Sequence, residues 1–552
     1  MTQTLLRTPG DVSLPPEQEQ AGDAGLQLPL LVEGGSAEAP LPGHVTRRLI
    51  GGTSTLGFGV FLERGAGFLA NLLAARFAGA ATFGAYSLAI STANNISTYA
   101  AGGIGATASR FSGKYPQESA GYPTLARALA IVSLVSATLA ATALWLGAAP
   151  IAHLLAKPAL TGLLRWASLS SVGIILLECA RGFFVGQRRL AALLLLSIVV
   201  GGGMLALLPI AAHSRNSNNA VGMVVVQGVI TTSAVVLCLL LARPLGLHAR
   251  NVHSTAKVLP LRPMLGEVWS FGLVQLAGLV GSNLAGLWLT TLIARSDTTL
   301  VQMSFFTIAS QLRNLVGIAP GLLTEGSYAV MADPDGESSR TPHRVMALCS
   351  FASLTVALLL AAAGIVFIPW GLTLLYGRAY APAGVTAAIA LAIAVIHMGN
   401  APAAARLTIV SIRAAGIINT VWAVFVAAAA TLFLVFGGGA WQAMAIYFLA
   451  HMLSATLVLL TLHRRDHIPA GMSALFVFAT SISAALAALA VWRGFRPALM
   501  LPITSTMFVL LLATAGGLYL FGRKYGWLPS AAALDPIKAG LRARLERRVR
   551  HV

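Results

Sequence analysis

Three observations predict an all-α integral membrane protein with about 14 transmembrane helices. Apolar residues make up 57% of the chain and charged residues only 10%, where a soluble domain carries about 25% charged residues. Mean hydropathy is +0.78, which leaves more apolar surface than a soluble core hides. Apolar runs of the roughly 20 residues needed to cross a bilayer recur between turn clusters along almost the whole sequence.

The segment 1–46 comes first. It begins polar, Pro/Gly-rich and acidic (Asp11, Glu17, Glu19, Asp23, Glu33, Glu38), with no basic stretch leading into an apolar one. It reads as a disordered cytoplasmic tail, not a signal peptide. Six spans then fill 47–242, at 49–77, 83–108, 123–148, 161–185, 189–212 and 219–242. A linker, 243–264, carries Arg243, Arg250, Lys257 and Arg262. Six more spans fill 265–462, at 265–294, 299–331, 343–368, 381–405, 413–436 and 439–462. Two further spans, 470–492 and 499–522, occupy 463–522. The basic cytoplasmic tail 523–552 contains "KAGLRARLERRVR", with Ile537, Leu541, Leu545 and Val549 at four-residue spacing. That spacing predicts either a short helix lying on anionic lipid of the inner leaflet or a solvated basic tail.

Lys and Arg gather in alternate connections: Arg47 and Arg48, Arg110 and Lys114, Arg188 and Arg189, the linker, Arg340 and Arg344, Arg413, then Arg464 and Arg465. The intervening connections hold mostly single charges such as Lys157 and Arg295, apart from Arg493 and Arg496. Both termini are then cytoplasmic, which an even number of spans also requires. The net charge of +19 is dispersed over these loops and the tail, a pattern that suits anionic membrane lipid rather than nucleic acid. Cys179, Cys238 and Cys349 have no metal-like spacing and read as packing residues.

An internal repeat emerges when the chain is shifted by 219 residues. "LLAARFAGAATFGAYSLAIS" (72–91) then falls on "TLIARSDTTLVQMSFFTIAS" (291–310), matching Arg76 with Arg295, Tyr86 with Phe305 and Ser91 with Ser310. Spans 1 and 2 map onto spans 7 and 8 in the same direction. This predicts two pseudo-symmetric six-helix lobes plus two C-terminal helices, with an axis along the membrane normal, a transporter architecture.

Ionisable residues inside spans usually face a bundle interior or a water-filled cavity. In span 1, Gly57, Arg64 and Asn71 recur every seven residues and share one helical face. Arg64 faces either a cavity or an ion-pair partner on a neighbouring helix. The repeat places Asn283 opposite Arg64, and sets Asn94 and Asn95 of span 2 against Arg313 and Asn314 of span 8. Ser304, Thr307, Ser310, Gln311 and Asn314 form a polar face on span 8, with Arg313 off its centre. Gly102, Gly103 and Gly105 in span 2, and Pro320 with Gly321 in span 8, predict bends. Spans 1, 2, 7 and 8 are thus expected to line a polar, net-cationic central cavity. Its substrate-binding candidates are Arg64, Asn71, Asn94, Asn95, Asn283, Gln311, Arg313 and Asn314. Glu63, Glu178 and Glu325 are candidates for ion coupling. Glu63 alternatively anchors a partner helix, Glu178 alternatively neutralises Arg181, and Glu325 alternatively sits among headgroups. Arg406 is expected to snorkel and Gln275 to pack.

The sequence holds no G-x-x-x-x-G-K-[ST], no H-E-x-x-H and no long external loop for a catalytic site. An enzyme, a metal centre and a bound cofactor are therefore not expected.

The stretch "FLERGAGFLANLLAARFAGAATFGAYSLAISTANNISTYAAGGIGATASRFSGKYP" (61–116) resembles the opening of Wzx-type polysaccharide flippases of the multidrug/oligosaccharidyl-lipid/polysaccharide (MOP) exporter superfamily. The likeness rests on Arg64 followed by Gly67 and Phe68, on "LLAARFAG" and on "FGAYSLA"; "ARGFFVGQRR" (180–189) is a further family-like feature. It extends over roughly 45–520. It implies a fourteen-helix protein of the bacterial inner membrane that moves an undecaprenyl-diphosphate-linked oligosaccharide between leaflets for polysaccharide biosynthesis, alongside polymerase and export proteins. Members use arginines in a central cavity, and Arg64 is the position that matches. "TEGSY" (324–328) stands where a proline-containing stretch is expected. An ion-coupled multidrug/cation antiporter of the same superfamily is the competing expectation, followed by a membrane glycan polymerase or ligase.

Overall fold

The computed structural model describes residues 43–117, 119–214, 219–242, 260–331, 341–434, 437–466 and 468–528. Most of the N-terminal tail, most of the 243–264 linker and the amphipathic stretch of the C-terminal tail lie outside them. Helices follow one another in the order α1 (Gly43–Ala78), α2 (Ala80–Ala101), α3 (Ile104–Lys114), α4 (Tyr122–Leu154), α5 (Thr161–Gly186), α6 (Leu190–His213), α7 (Asn219–Ala242) and α8 (Leu261–Ser296). Then come α9 (Val301–Val316), α10 (Ile318–Met331), α11 (Thr341–Leu375), α12 (Gly384–Val410), α13 (Ile412–Leu434), α14 (Ala440–Arg465), α15 (Met472–Phe495) and α16 (Met500–Lys524). Among the described residues there is no strand. Helices satisfy their own backbone within one segment, as hydrocarbon demands.

Among the described residues, ten helical segments are long and apolar enough to cross a membrane, in α4 to α7 and α11 to α16. Large apolar side chains stand exposed along them, among them Leu146, Leu240, Ile412 and Leu501. That exposure fits contact with lipid tails and would be costly in water.

Helix ends recur at the 219-residue spacing. Shifting α4 by 219 gives 341–373 against Thr341–Leu375 for α11, and shifting α7 gives 438–461 against Ala440–Arg465 for α14. The equivalent helices α5 and α12 are each the most enclosed of their group. α5 packs on α2, α3, α4 and α7, and α12 on α9, α10, α11, α13, α14 and α15. Small side chains allow this. Ala387, Ala388, Ala390, Ala392 and Ala394 are all fully buried in α12, the close packing that helices use in lipid.

The stretch expected as the second span holds two helices rather than one. Gly102 and Gly103 both take left-handed backbone angles (φ 53° and 69°) between α2 and α3, which glycine adopts at little steric cost. The stretch expected as the eighth span also breaks, but at Gly317, not at the expected Pro320 and Gly321. Pro320 has no N–H and so cannot bond the Val316 carbonyl. The chain breaks just before it and leaves Pro320 in the first turn of α10, where a missing donor costs nothing.

Among the described residues, polar and close contacts at two places help to join α1–α7 to α8–α16, where α1 and α2 also pack on α8, α9 and α10 and α4 packs on α8. Where α1 and α11 end, Arg76 donates to the carbonyls of Leu374 (2.8 Å) and Leu375 (3.2 Å), and Tyr380 donates to Ala75 (2.9 Å). Beside them α2 meets α9 so closely that a Cβ on Gly84 would stand 1.9 Å from the Leu300 carbonyl oxygen. At the opposite end Lys114 pairs with Glu267 (3.4 Å) and Arg110 lies 4.4 Å from the Phe271 ring centre.

Arg406 does not snorkel. Its Nε donates to Asp466 (2.8 Å) and its Nη1 to the Met331 carbonyl (3.3 Å). The three cysteines are buried and free.

Candidate functional site

Three cavities adjoin one another, two lined by residues from both α1–α7 and α8–α12 and the third by residues of α1–α7 alone. The first, about 460 Å³, is walled by Arg64, Phe68, Asn71, Gln311, Asn314, Leu315 and Met398 among others. The second, about 390 Å³, shares Asn71, Gln311 and Asn314 with it and adds Tyr86, Ser91, Asn94, Gln227, Thr290, Thr307 and Ser310. The third, about 290 Å³, shares Arg64 with the first and Asn94 and Gln227 with the second, and reaches Glu63, Glu178 and Arg181. Side chains from α1, α2, α5, α7, α8, α9 and α12 thus meet around one polar space.

The adjacent pair Glu63 and Arg64 divides its work by direction. About 100° separates successive residues on a helix, so the two side chains leave α1 on different faces. The Glu63 carboxylate accepts from Arg181 of α5 and from the Ser197 hydroxyl of α6 (3.0 Å). A Cβ on Gly201 of α6 would sit 3.1 Å from Glu63 Cα, so the absence of a side chain there lets α6 approach. Arg181 also donates to Glu178 (2.9 Å). Arg64 is exposed to the cavity, and among the described residues nothing accepts a hydrogen bond from it; Glu178 is within electrostatic reach.

Five of the expected substrate-binding residues, Arg64, Asn71, Asn94, Gln311 and Asn314, meet on the cavity walls. Asn71 is held by donating to its own helix at Gly67 (2.8 Å). Three do not join them. Asn95 turns back to the Ser91 carbonyl (2.8 Å), and Asn283 and Arg313 are half-buried away from these walls. Asn95 and Arg313 each neighbour a lining asparagine in sequence, and one residue's rotation takes them off its face. Glu63 and Glu178 line the third cavity; the side chain of Glu325 lies outside the described residues. The formal charge of the walls is also more even than expected. Arg64 and Arg181 face Glu63 and Glu178, and only the first cavity is lined by arginine alone among charged residues.

Gln227 was missed. It accepts from the Tyr86 hydroxyl at 2.6 Å and lines two cavities. Its signal was one amide within the apolar run "MVVVQGVITT".

The model of the family described as "Polysaccharide biosynthesis protein" matches residues 49–323, which hold most of these walls. The chain belongs to that family. The chain also shares its fold with solved structures of a flippase and of transporters of the MOP superfamily. The lipid II flippase MurJ in an inward closed conformation superposes with a TM-score of 0.59 at 12% identity, covering 85% of this chain and 98% of that one. An inward-facing multidrug resistance MATE family transporter gives 0.58 at 15% identity, covering 75% and 95%. A MOP transporter from Pyrococcus furiosus, described by the reverse polarity of its binding pocket, gives 0.57 at 14% identity, covering 79% and 99%. No curated protein sequence matches the chain.

Proposed function

We propose that this transporter is a flippase for undecaprenyl-diphosphate-linked oligosaccharide units in polysaccharide biosynthesis, working by alternating access around the three cavities. Fourteen spans, in two six-helix lobes plus α15 and α16, form its frame. The observation that carries the reading is Arg64, a guanidinium at the cavity wall with no hydrogen-bond acceptor among the described residues, while its neighbour Glu63 is already paired. A diphosphate and a glycan cannot cross about 30 Å of hydrocarbon unaided. A guanidinium matches phosphate oxygens with paired N–H donors, and Asn71, Asn94, Gln311 and Asn314 offer amides to sugar hydroxyls. The prenyl chain stays in lipid while the lobes rock. The carboxylates favour this over a cation antiporter, because Glu63 and Glu178 are both engaged by Arg181 and leave a free cation, not a free anion, at the wall.

The test uses purified protein in liposomes carrying a labelled diphosphate-linked oligosaccharide lipid, with accessibility to an external probe as the readout. Wild type equilibrates the label between leaflets and Arg64→Ala, folded to the same melting temperature, does not. Flipping undiminished in Arg64→Ala overturns the role of Arg64. No flipping by wild type, with export of a lipophilic cation under an ion gradient, assigns the protein to the antiporter branch instead.

A further inference from the structure

Of the three cavities, the second is the one without a charge. Among the described residues no Asp, Glu, Lys, Arg or His lines it, and eleven of its fifteen lining residues are polar and uncharged. A pocket for a lipophilic ligand is walled mainly by apolar and aromatic side chains; the apolar share here is Ile90, Met204, Met303 and Phe306. The volume is about 390 Å³. At ~30 Å³ per water this is room for about a dozen water-sized groups, close to the heavy-atom content of one hexose. The tight α2–α9 contact at Gly84 and Leu300 stands beside the lining Tyr86 and Met303.

Much of the hydrogen-bonding capacity on these walls is unused. Asn94 and Asn314 are exposed to the cavity, and among the described residues neither side-chain amide has a partner. The Gln311 side-chain oxygen is buried and also lacks one there. Gln227 is aimed: its oxygen accepts from the Tyr86 hydroxyl (2.6 Å), which leaves both its N–H donors over. Asn71 gives one N–H to the Gly67 carbonyl (2.8 Å) and keeps its oxygen. Unpaired amides within spans cost folding free energy, and these converge on one space.

A carboxamide both donates and accepts, as every sugar hydroxyl does. A charged group that leaves water needs an opposite charge instead, and this cavity holds none of either sign. Arg64 lines the first and third cavities but not the second. Asn71 stands two helical turns, about 10 Å, along α1 from Arg64, and Asn71, Gln311 and Asn314 are walls of both the first and second cavities. A diphosphate at Arg64 would therefore present the sugar attached to it to the second cavity.

We propose that the second cavity is the subsite for the sugar joined directly to the diphosphate, and that it takes an uncharged pyranose while rejecting uronic acids and sugars with a free amine at that position. This assignment rests on the flippase reading and adds to it the class of glycan carried.

The experiment is equilibrium binding to the purified full-length protein of four short-chain prenyl diphosphates, one without sugar and three carrying a single glucose, glucuronate or glucosamine. Thermal unfolding is recorded for every variant. The glucose lipid is expected to bind on the order of tenfold more tightly than either charged one, the cost of leaving one group without a partner. That order is not monotonic in charge. A cavity acting only through a general positive potential would instead rank glucuronate first and glucosamine last, and that ranking overturns the proposal. Gln227→Leu weakens the glucose lipid severalfold and leaves the sugar-free lipid unchanged. Ser310→Lys, which adds a cation to the wall, moves the preference from glucose to glucuronate; a preference unchanged in a variant that still folds overturns the proposal. If the sugar-free lipid binds through Arg64 and the three sugars make no difference, the subsite fails while the flippase reading stands. If none of the four lipids binds, both fail.

Discussion

Arg493 of α15 donates to the carbonyl of Ile365 in α11 (2.9 Å), the one that Pro369 leaves without a helical donor. Position 369 would normally bond back to 365, and proline has no N–H to do so. The same guanidinium reaches the Val366 carbonyl (3.0 Å) and the Thr504 hydroxyl of α16 (3.2 Å). Charge distribution along the sequence placed Arg493 in an external connection. It is instead inside α15 and only 5% exposed. The two C-terminal helices are therefore fastened to α11 by a cation that completes its broken hydrogen-bond ladder.

Arg493→Ala is expected to destabilise the protein by about 2–3 kcal/mol, since buried carbonyls lose their donors. In a Pro369→Ala background the loss shrinks, because the restored N–H of residue 369 serves Ile365. A double-mutant cycle in thermal unfolding, read as non-additivity, checks this; strict additivity would show that the arginine and the proline act independently.

Glu63→Leu is expected to cost about 2 kcal/mol, the order of a hydrogen bond to a charged group, because Arg181 and Ser197 lose their acceptor. Glu63→Gln recovers part of this and retains the α1–α6 packing. If Glu63 carried the coupling ion instead, both variants would abolish gradient-driven transport while leaving the melting temperature unchanged.

Gly84→Ala places a methyl where the Leu300 carbonyl now lies 1.9 Å away. Overpacking of this kind costs about 1–3 kcal/mol, and here it acts on the seal between α2 and α9. The expected result is increased labelling of a cysteine introduced at Asn71 from the side where α1 ends, with slower flipping.

Gln311→Leu separates binding from folding. The side-chain oxygen of Gln311 is buried with no partner among the described residues, so its loss removes a polar atom that the fold leaves unsatisfied there. Stability should hold or rise, while the flipping rate falls on the order of tenfold, the worth of one hydrogen bond to the transported group. A melting temperature several degrees lower, with unchanged flipping, would make Gln311 a structural residue.

The membrane class and most helix boundaries were legible because a spanning helix needs only local composition and length. The stripe of Arg64 and Asn71 was legible for a related reason: helical periodicity states which residues share a face. Periodicity does not state what that face meets. Glu63 takes its partner from Arg181, 118 residues away, and no local pattern encodes that pairing. Likewise Asn94 and Asn95, or Arg313 and Asn314, are adjacent in sequence, and only the packing of neighbouring helices chose which of each pair turns to the cavity.

By itself, then, the sequence determined an apolar multi-span chain, a 219-residue repeat visible in paired segments, and an arginine on a polar helical stripe. The tertiary structure decided the rest. It separated α9 from α10 at Gly317, joined Glu63 to α5 and α6, and buried Arg493 against α11. Hydrophobic length and helical period are properties of one segment, set by short-range geometry. Which charge is paired and which is left free depends on helices brought together from distant parts of the chain.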